Sequence, residues 1–257
     1  MLFLKGFRVN LSAFVRMNAK VNWRAAFGLL LVAQLAPSTA WAQSSCSSDG
    51  QAAPLAVLER FISADCDTCW TSPTTLKVKP RDLVVDWIVP STKGDEAPLS
   101  AAARTDAVFR LQALNQAAPR DSWNLRRAVL SKPLPLRVAR GVALGGYMGA
   151  SIALTPKQGT RLPRHPMTAW LVMIEDIPAG IDGTPVARQL VRNTLQISWN
   201  EPGQSTTPSP TRPNQRLQES RPMSIPEGAN PDRLRVVGWV EDPLGRVIAS
   251  AASICLN

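Results

Sequence analysis

The chain has 257 residues, 45% of them hydrophobic and only 19% charged, a balance that excludes intrinsic disorder and fibrous repeats. Its length admits one large or two small domains, with enough apolar residues to bury a core. Its 22 prolines argue against long helices and exclude an all-helical bundle, while 29 Lys plus Arg against 19 Asp plus Glu give a formal charge of +10.

Five of those cations, Lys5, Arg8, Arg16, Lys20 and Arg24, fall in a leader with no acidic residue. An apolar run from Ala25 to Ala36 follows, then Pro37 and the small-x-small site Ala40-Trp41-Ala42. This order predicts a secretory signal peptide over 1–42, with translation starting at Met1 or Met17. The apolar run is shorter than the roughly 20 residues a spanning helix needs, so no membrane span is expected in the mature chain. Removing the five leader cations from the +10 leaves +5, with arginines scattered among acids. No basic stripe interleaves with aromatics, so nucleic-acid binding is not expected. The expected location is periplasmic or secreted.

The mature chain opens near its first cysteine, and all four cysteines, Cys46, Cys66, Cys69 and Cys255, lie beyond the leader. An even count in an oxidising compartment fits two bridges. Cys66 and Cys69 are close enough to pair locally, which leaves Cys46 for Cys255 as a structural disulfide. Pairing of Cys46 with one of the two CxxC thiols is the alternative. A structural zinc site would need a second Cys/His pair, and His165 is the one histidine, so no metal and no cofactor are expected. The two thiols alone are compatible with copper by ligand type.

Residues 54–63 read as a strand, followed at once by Asp65-Cys66-Asp67-Thr68-Cys69-Trp70. Strand, turn, CxxC and helix in that order place Cys66 at a helix N-terminus, where backbone N–H groups favour thiolate and make it the nucleophile. Cys69 is then the resolving thiol. Asp65 and Asp67 oppose a further anion. Asp86 sits in the apolar run Leu83-Val-Val-Asp-Trp-Ile-Val89 and is a candidate proton acceptor for the resolving thiol; a hydrogen-bonded strand carboxylate is the plainer reading.

These residues resemble a domain-of-unknown-function family of secreted bacterial thioredoxin-like proteins, in which a strand ending Glu-Leu-Phe-Thr-Ser leads into a CxxC. Leu58-Glu-Arg-Phe-Ile-Ser63 with Cys66-Asp-Thr-Cys69 looks like that element, and 83–89 looks similar to the family's next strand. Residues 168–175, 183–192 and 238–247 look like its trailing β region, including a cysteine near the end. The resemblance implies a thioredoxin-like domain followed by a β-sandwich-like one, with no established activity. The family's Thr-Pro-Gln strand has no counterpart here, its His before Val-Asp is replaced by Val84, and the stretch after Cys69 is poor in helix formers, which points to a truncated thioredoxin-like domain.

Ser100–Gln116 is the best helix, with Ala107, Val108, Leu111 and Leu114 on one face and Ser100 as N-cap. Six strands are expected over 134–144, 148–155, 168–176, 190–199, 234–241 and 246–254, with Asp242-Pro-Leu-Gly245 as a hairpin turn and Trp170, Trp199 and Trp239 in the core. Residues 200–232, rich in Pro, Ser, Thr, Gln and Asn, read as one long disordered loop. The expected fold class is α+β: a thioredoxin-like domain over 43–132 and an antiparallel β-sandwich-like domain over 133–257. His165 between prolines lacks any serine elbow, and the glycines at 141–149 form no nucleotide fingerprint. Two functions compete. One is thiol-disulfide exchange through Cys66 and Cys69 with protein thiols or disulfides as partners. The other is a noncatalytic envelope binding or assembly module in which the disulfide is structural.

Overall fold

The computed structural model describes residues 46–72, 77–155, 165–199 and 217–255; the expected signal peptide over 1–42 lies outside them. Within these residues lie twelve strands and two α-helices, α1 (Asp67–Thr71) and α2 (Thr105–Ala113). One sheet runs in the order β12 (Ile254–Cys255), β1 (Cys46–Ser47), β5 (Leu136–Leu144), β6 (Tyr147–Leu154), β9 (Leu217–Ser224). The other has seven strands in the order β11 (Val247–Ala252), β10 (Leu234–Glu241), β7 (Met167–Ile177), β8 (Arg188–Trp199), β3 (Asp82–Val89), β2 (Ala56–Ser63), β4 (Ser122–Ala128).

The central strands read as continuous apolar runs because both of their faces are buried. Along β7, Ala169, Leu171 and Met173 pack with Val138 and Ile152 of the five-stranded sheet. The alternating Trp170, Val172 and Ile174 pack instead with Phe61, Trp87 and Leu111, so α2 covers the opposite face. The seven-stranded sheet curls until its edges meet. Val129, just past β4, bridges Val247 of β11 in parallel, and the Leu130 and Leu134 N–H groups donate to the carbonyls of Val247 and Ile248. Curling hides the two edges that an open sheet would expose.

This architecture corrects the expected α+β class. The two described α-helices have five and nine residues, and nothing among the described residues supplies the helical layers of a thioredoxin-like domain. Strands from both sides of the expected 132/133 boundary pair in one sheet, since β3 lies beside β8. All described residues from Cys46 onward belong to one compact unit. The physical reason is the proline-rich sequence between 117 and 135, which makes turns and β4 rather than a covering helix. What survives is local: β2 and β3 are parallel in full register from Ala56–Asp82 to Ser63–Val89, joined by a crossover that carries CxxC and α1.

Two further expectations change. The Ser100–Gln116 helix contracts to Thr105–Ala113, with a separate 3-10 turn over Ser100–Ala102 and Arg104 at the N-cap position. Of the expected 200–232 loop, residues 200–216 lie outside the described ones, whereas 217–224 form β9 against β6. Pro222 is tolerated there because β9 is an edge strand among the described residues. The six expected strands from 134 onward all form, Asp242 to Gly245 turns between β10 and β11, and Trp170, Trp199 and Trp239 are buried.

A charge cluster lies under α2. Arg110, fully buried, makes two bonds of 2.7 and 2.8 Å to Glu59 and one of 2.7 Å to Glu241, and lies over the Trp170 ring at 4.4 Å. Arg127 of β4 adds 2.7 Å contacts to both glutamates.

The two sheets approach closely at Gly238 of β10. A Cβ there would stand 2.9 Å from Ile152 Cδ1, Val138 Cγ1 and the Trp170 carbonyl oxygen. Gly238→Ala is expected to destabilise the protein by about 1–3 kcal/mol through overpacking. Urea unfolding checks this, and a loss below about 0.5 kcal/mol would mean that the sheets separate easily at this point.

Candidate functional site

β2 ends at Ser63, and the chain turns sharply: the Cys66 N–H donates to the Ser63 carbonyl at 3.0 Å and the Asp65 N–H to the Ser63 Oγ at 3.3 Å. Cys66 takes the N-cap position of α1, and the Cys69 N–H donates to the Cys66 carbonyl at 3.1 Å. The two cysteines form a disulfide and are both partly exposed. Cys46 and Cys255 form the second disulfide, joining β1 to β12 across a sequence separation of 209. Arg140 donates to the Cys255 sulfur at 3.2 Å.

With five residues, α1 has little macrodipole of its own, which weakens the expected helix-terminus effect on Cys66. The local electrostatics come from elsewhere. Arg188, at the start of β8 and 1% exposed, sends its guanidinium to the carbonyls of Cys69 at 2.9 Å, Trp70 at 2.6 Å and Ser72 at 2.7 Å. Those are the carbonyls that a helix leaves unpaired at its C-terminal end. The same guanidinium lies 5.4 Å over the Trp70 ring. The β7–β8 loop completes the clamp: Trp70 Nε1 donates to the Asp182 carbonyl at 3.0 Å, and Thr184 Oγ1 donates to the Trp70 carbonyl at 3.1 Å. Trp70 itself is buried with Ile62, Ile88, Ile177 and Leu190, and Cys69 packs against this cluster.

Asp86 is fully buried, but its carboxylate is engaged. It pairs with Arg60, whose Nη2 lies at 2.6 Å, and it accepts the Gln189 N–H at 2.6 Å. None of its hydrogen bonds reaches either cysteine. Its link to the CxxC turn runs through Arg188: burial pushes that guanidinium below its ordinary value, Asp86 counters this and Arg60 adds to it. Asp65, expected to oppose a thiolate, has Lys93 at 3.4 Å.

The clamp was illegible in the sequence. Arg188 lies 119 residues from Cys69 in a segment that reads as an ordinary strand start, and no short motif marks it. Thr184 and Asp182 carry only a turn signal, through Gly183 between them.

Among the described residues no three of His, Cys, Asp and Glu are grouped as metal ligands, and no helix is long and apolar enough to cross a membrane. No protein-family model, no curated protein and no solved structure matches this chain, so the resemblance to secreted thioredoxin-like proteins stands on its quoted residues alone.

Proposed function

We propose that the protein carries out thiol-disulfide exchange at Cys66 and Cys69, in an oxidising compartment outside the cytoplasm, on a β-sheet scaffold. The observation that carries this reading is that the 66–72 turn is held by contacts that do not involve the S–S bond. Arg188, Thr184, the Asp182 carbonyl and the buried Trp70 ring fix it to β8 and the β7–β8 loop. The bridge closes a loop of only a few residues, so its entropic contribution to stability is about 2 kcal/mol. A bond that is redundant as a staple and partly exposed can open and close without dismantling its surroundings.

Disulfide mapping by mass spectrometry through a series of glutathione and dithiothreitol buffers tests this. Cys66–Cys69 is expected to open reversibly above about −300 mV while Cys46–Cys255 stays closed. A Cys69→Ser variant, which lacks the resolving thiol, is expected to hold a partner on Cys66 as a mixed disulfide.

The engagement of Asp86 by Arg60 and the Gln189 N–H favours the second reading, a noncatalytic binding or assembly module, because none of these hydrogen bonds reaches the cysteines. Full function of a Cys66→Ala/Cys69→Ala variant would select this second reading and discard the first.

A further inference from the structure

We propose that Arg188 biases the Cys66–Cys69 pair toward accepting electrons, so that the partners of this site are reduced protein dithiols; this rests on the exchange reading above. Under the turn lie two cations and one anion, Arg60, Arg188 and Asp86, all at least nine-tenths buried. Asp86 closes onto Arg60 and the Gln189 N–H, so the three groups keep one net positive charge, and the Arg188 guanidinium is the part of it bonded to the turn. The remaining charged groups around the pair are Asp65, with Lys93 at 3.4 Å; Asp182, with Arg233 at 3.3 Å; and Asp67, exposed and therefore screened.

Arg188 binds the carbonyl of Cys69 itself, that of Trp70 in the last turn of α1 and that of Ser72, its C-cap. A buried cation beside a thiol favours the thiolate. Reduction creates that anion, and the closed disulfide has none, so Arg188 stabilises the reduced form selectively and raises the potential of the pair.

The exchange balances as follows. A partner thiolate attacks Cys66 Sγ, a bond forms between partner and Cys66, and the Cys66–Cys69 bond breaks with Cys69, whose carbonyl Arg188 holds, leaving as thiolate. The partner's second thiol, as thiolate, attacks the partner's first sulfur in the mixed disulfide, and Cys66 leaves as thiolate. Two electrons pass from the partner dithiol to the pair, the partner gains a disulfide, and its protons go to the cysteines or to water.

The test is the equilibrium of the full-length protein, with Cys46–Cys255 intact, against glutathione and against dithiothreitol, read as the fraction of Cys66 and Cys69 alkylated. Arg188→Met is expected to make the pair about tenfold harder to reduce, a shift of about 30 mV for two electrons, and Arg188→Lys is expected to fall between it and the wild type. An unchanged equilibrium in a folded Arg188→Met, with reversible opening in the wild type, overturns the role of Arg188 and leaves exchange standing. A wild-type pair that does not open reversibly overturns both. Should Arg188→Met not fold, the alkylation rate of the reduced wild type against pH decides: a midpoint below the ordinary cysteine value of about 8.5 supports the proposal, and one at or above it overturns it.

Discussion

Replacing Cys46 and Cys255 together by serine is expected to lower the unfolding free energy by about 3–5 kcal/mol, the largest single covalent contribution in the chain. The bridge spans 209 residues, so in the chain-entropy account it restricts almost the whole unfolded ensemble. The native side of the balance points the same way. β1 and β12 have two residues each, and their pairing consists of Cys46 with Cys255 and Ser47 with Ile254. Such strands have no stability of their own, and β1 is the element that pairs with β5. Without the bridge, amide exchange should speed up first at Val138 and Arg140, where the Ser48 hydroxyl and Cys46 hold β5. Urea midpoints compared with those of Cys66→Ala/Cys69→Ala check the assignment. If the short bridge costs more than the long one, Cys66–Cys69 is the structural staple and the exchange reading loses its basis.

How much of this was readable beforehand follows from the range of each signal. Residues 168–176 and 234–241 declared themselves as strands because a strand buried on both faces is apolar throughout. The disulfide pairing was readable by elimination, since Cys66 and Cys69 can close on each other. β4 was not, because in Ser122-Trp-Asn-Leu-Arg-Arg-Ala128 the apolar alternation stops after Trp123 and Leu125: Arg126 is there to reach Asp82, and Arg127 to reach Glu59 and Glu241. β9 was hidden by Pro222 and its polar neighbours, a composition that suits an edge strand as well as it suits a loop. The fold class failed for a different reason. The strand, CxxC, short helix and parallel strand are local and are present, but which strands join β2 and β3 in a sheet depends on partners more than 100 residues away, such as β8. A local motif constrains its crossover, and the sheet around it is set by the rest of the chain.

Arg110→Met is expected to cost about 3–5 kcal/mol at neutral pH, because it leaves Glu59 and Glu241 buried with Arg127 as their remaining cation. The methionine fills much of the space between Trp170 and Trp239, so the loss measures charge more than volume. The pH dependence separates the two. Burial alone would raise the Glu241 carboxyl, but Arg110 and then Arg127, with the Trp239 indole N–H at 2.8 Å, hold it below the ordinary carboxylate value. A carboxylate depressed in the folded state adds stability above its unfolded value of about 4.3, and that stability is lost as pH falls through the folded value. Arg110 is held above its own ordinary value, burial being outweighed by Glu59 and Glu241, so it stays charged throughout this range. The gap between wild type and Arg110→Met is therefore widest near pH 7 and narrows towards pH 3, as falling pH approaches the depressed folded value of Glu241. Urea unfolding at both pH values reads the gap directly. A gap of equal size at pH 3 and pH 7 would assign the effect to packing of α2 against the two tryptophans. A narrowing gap assigns it to the ion pairs that tie α2 to β2, β4 and β10, and so to the closure of the curled sheet around them.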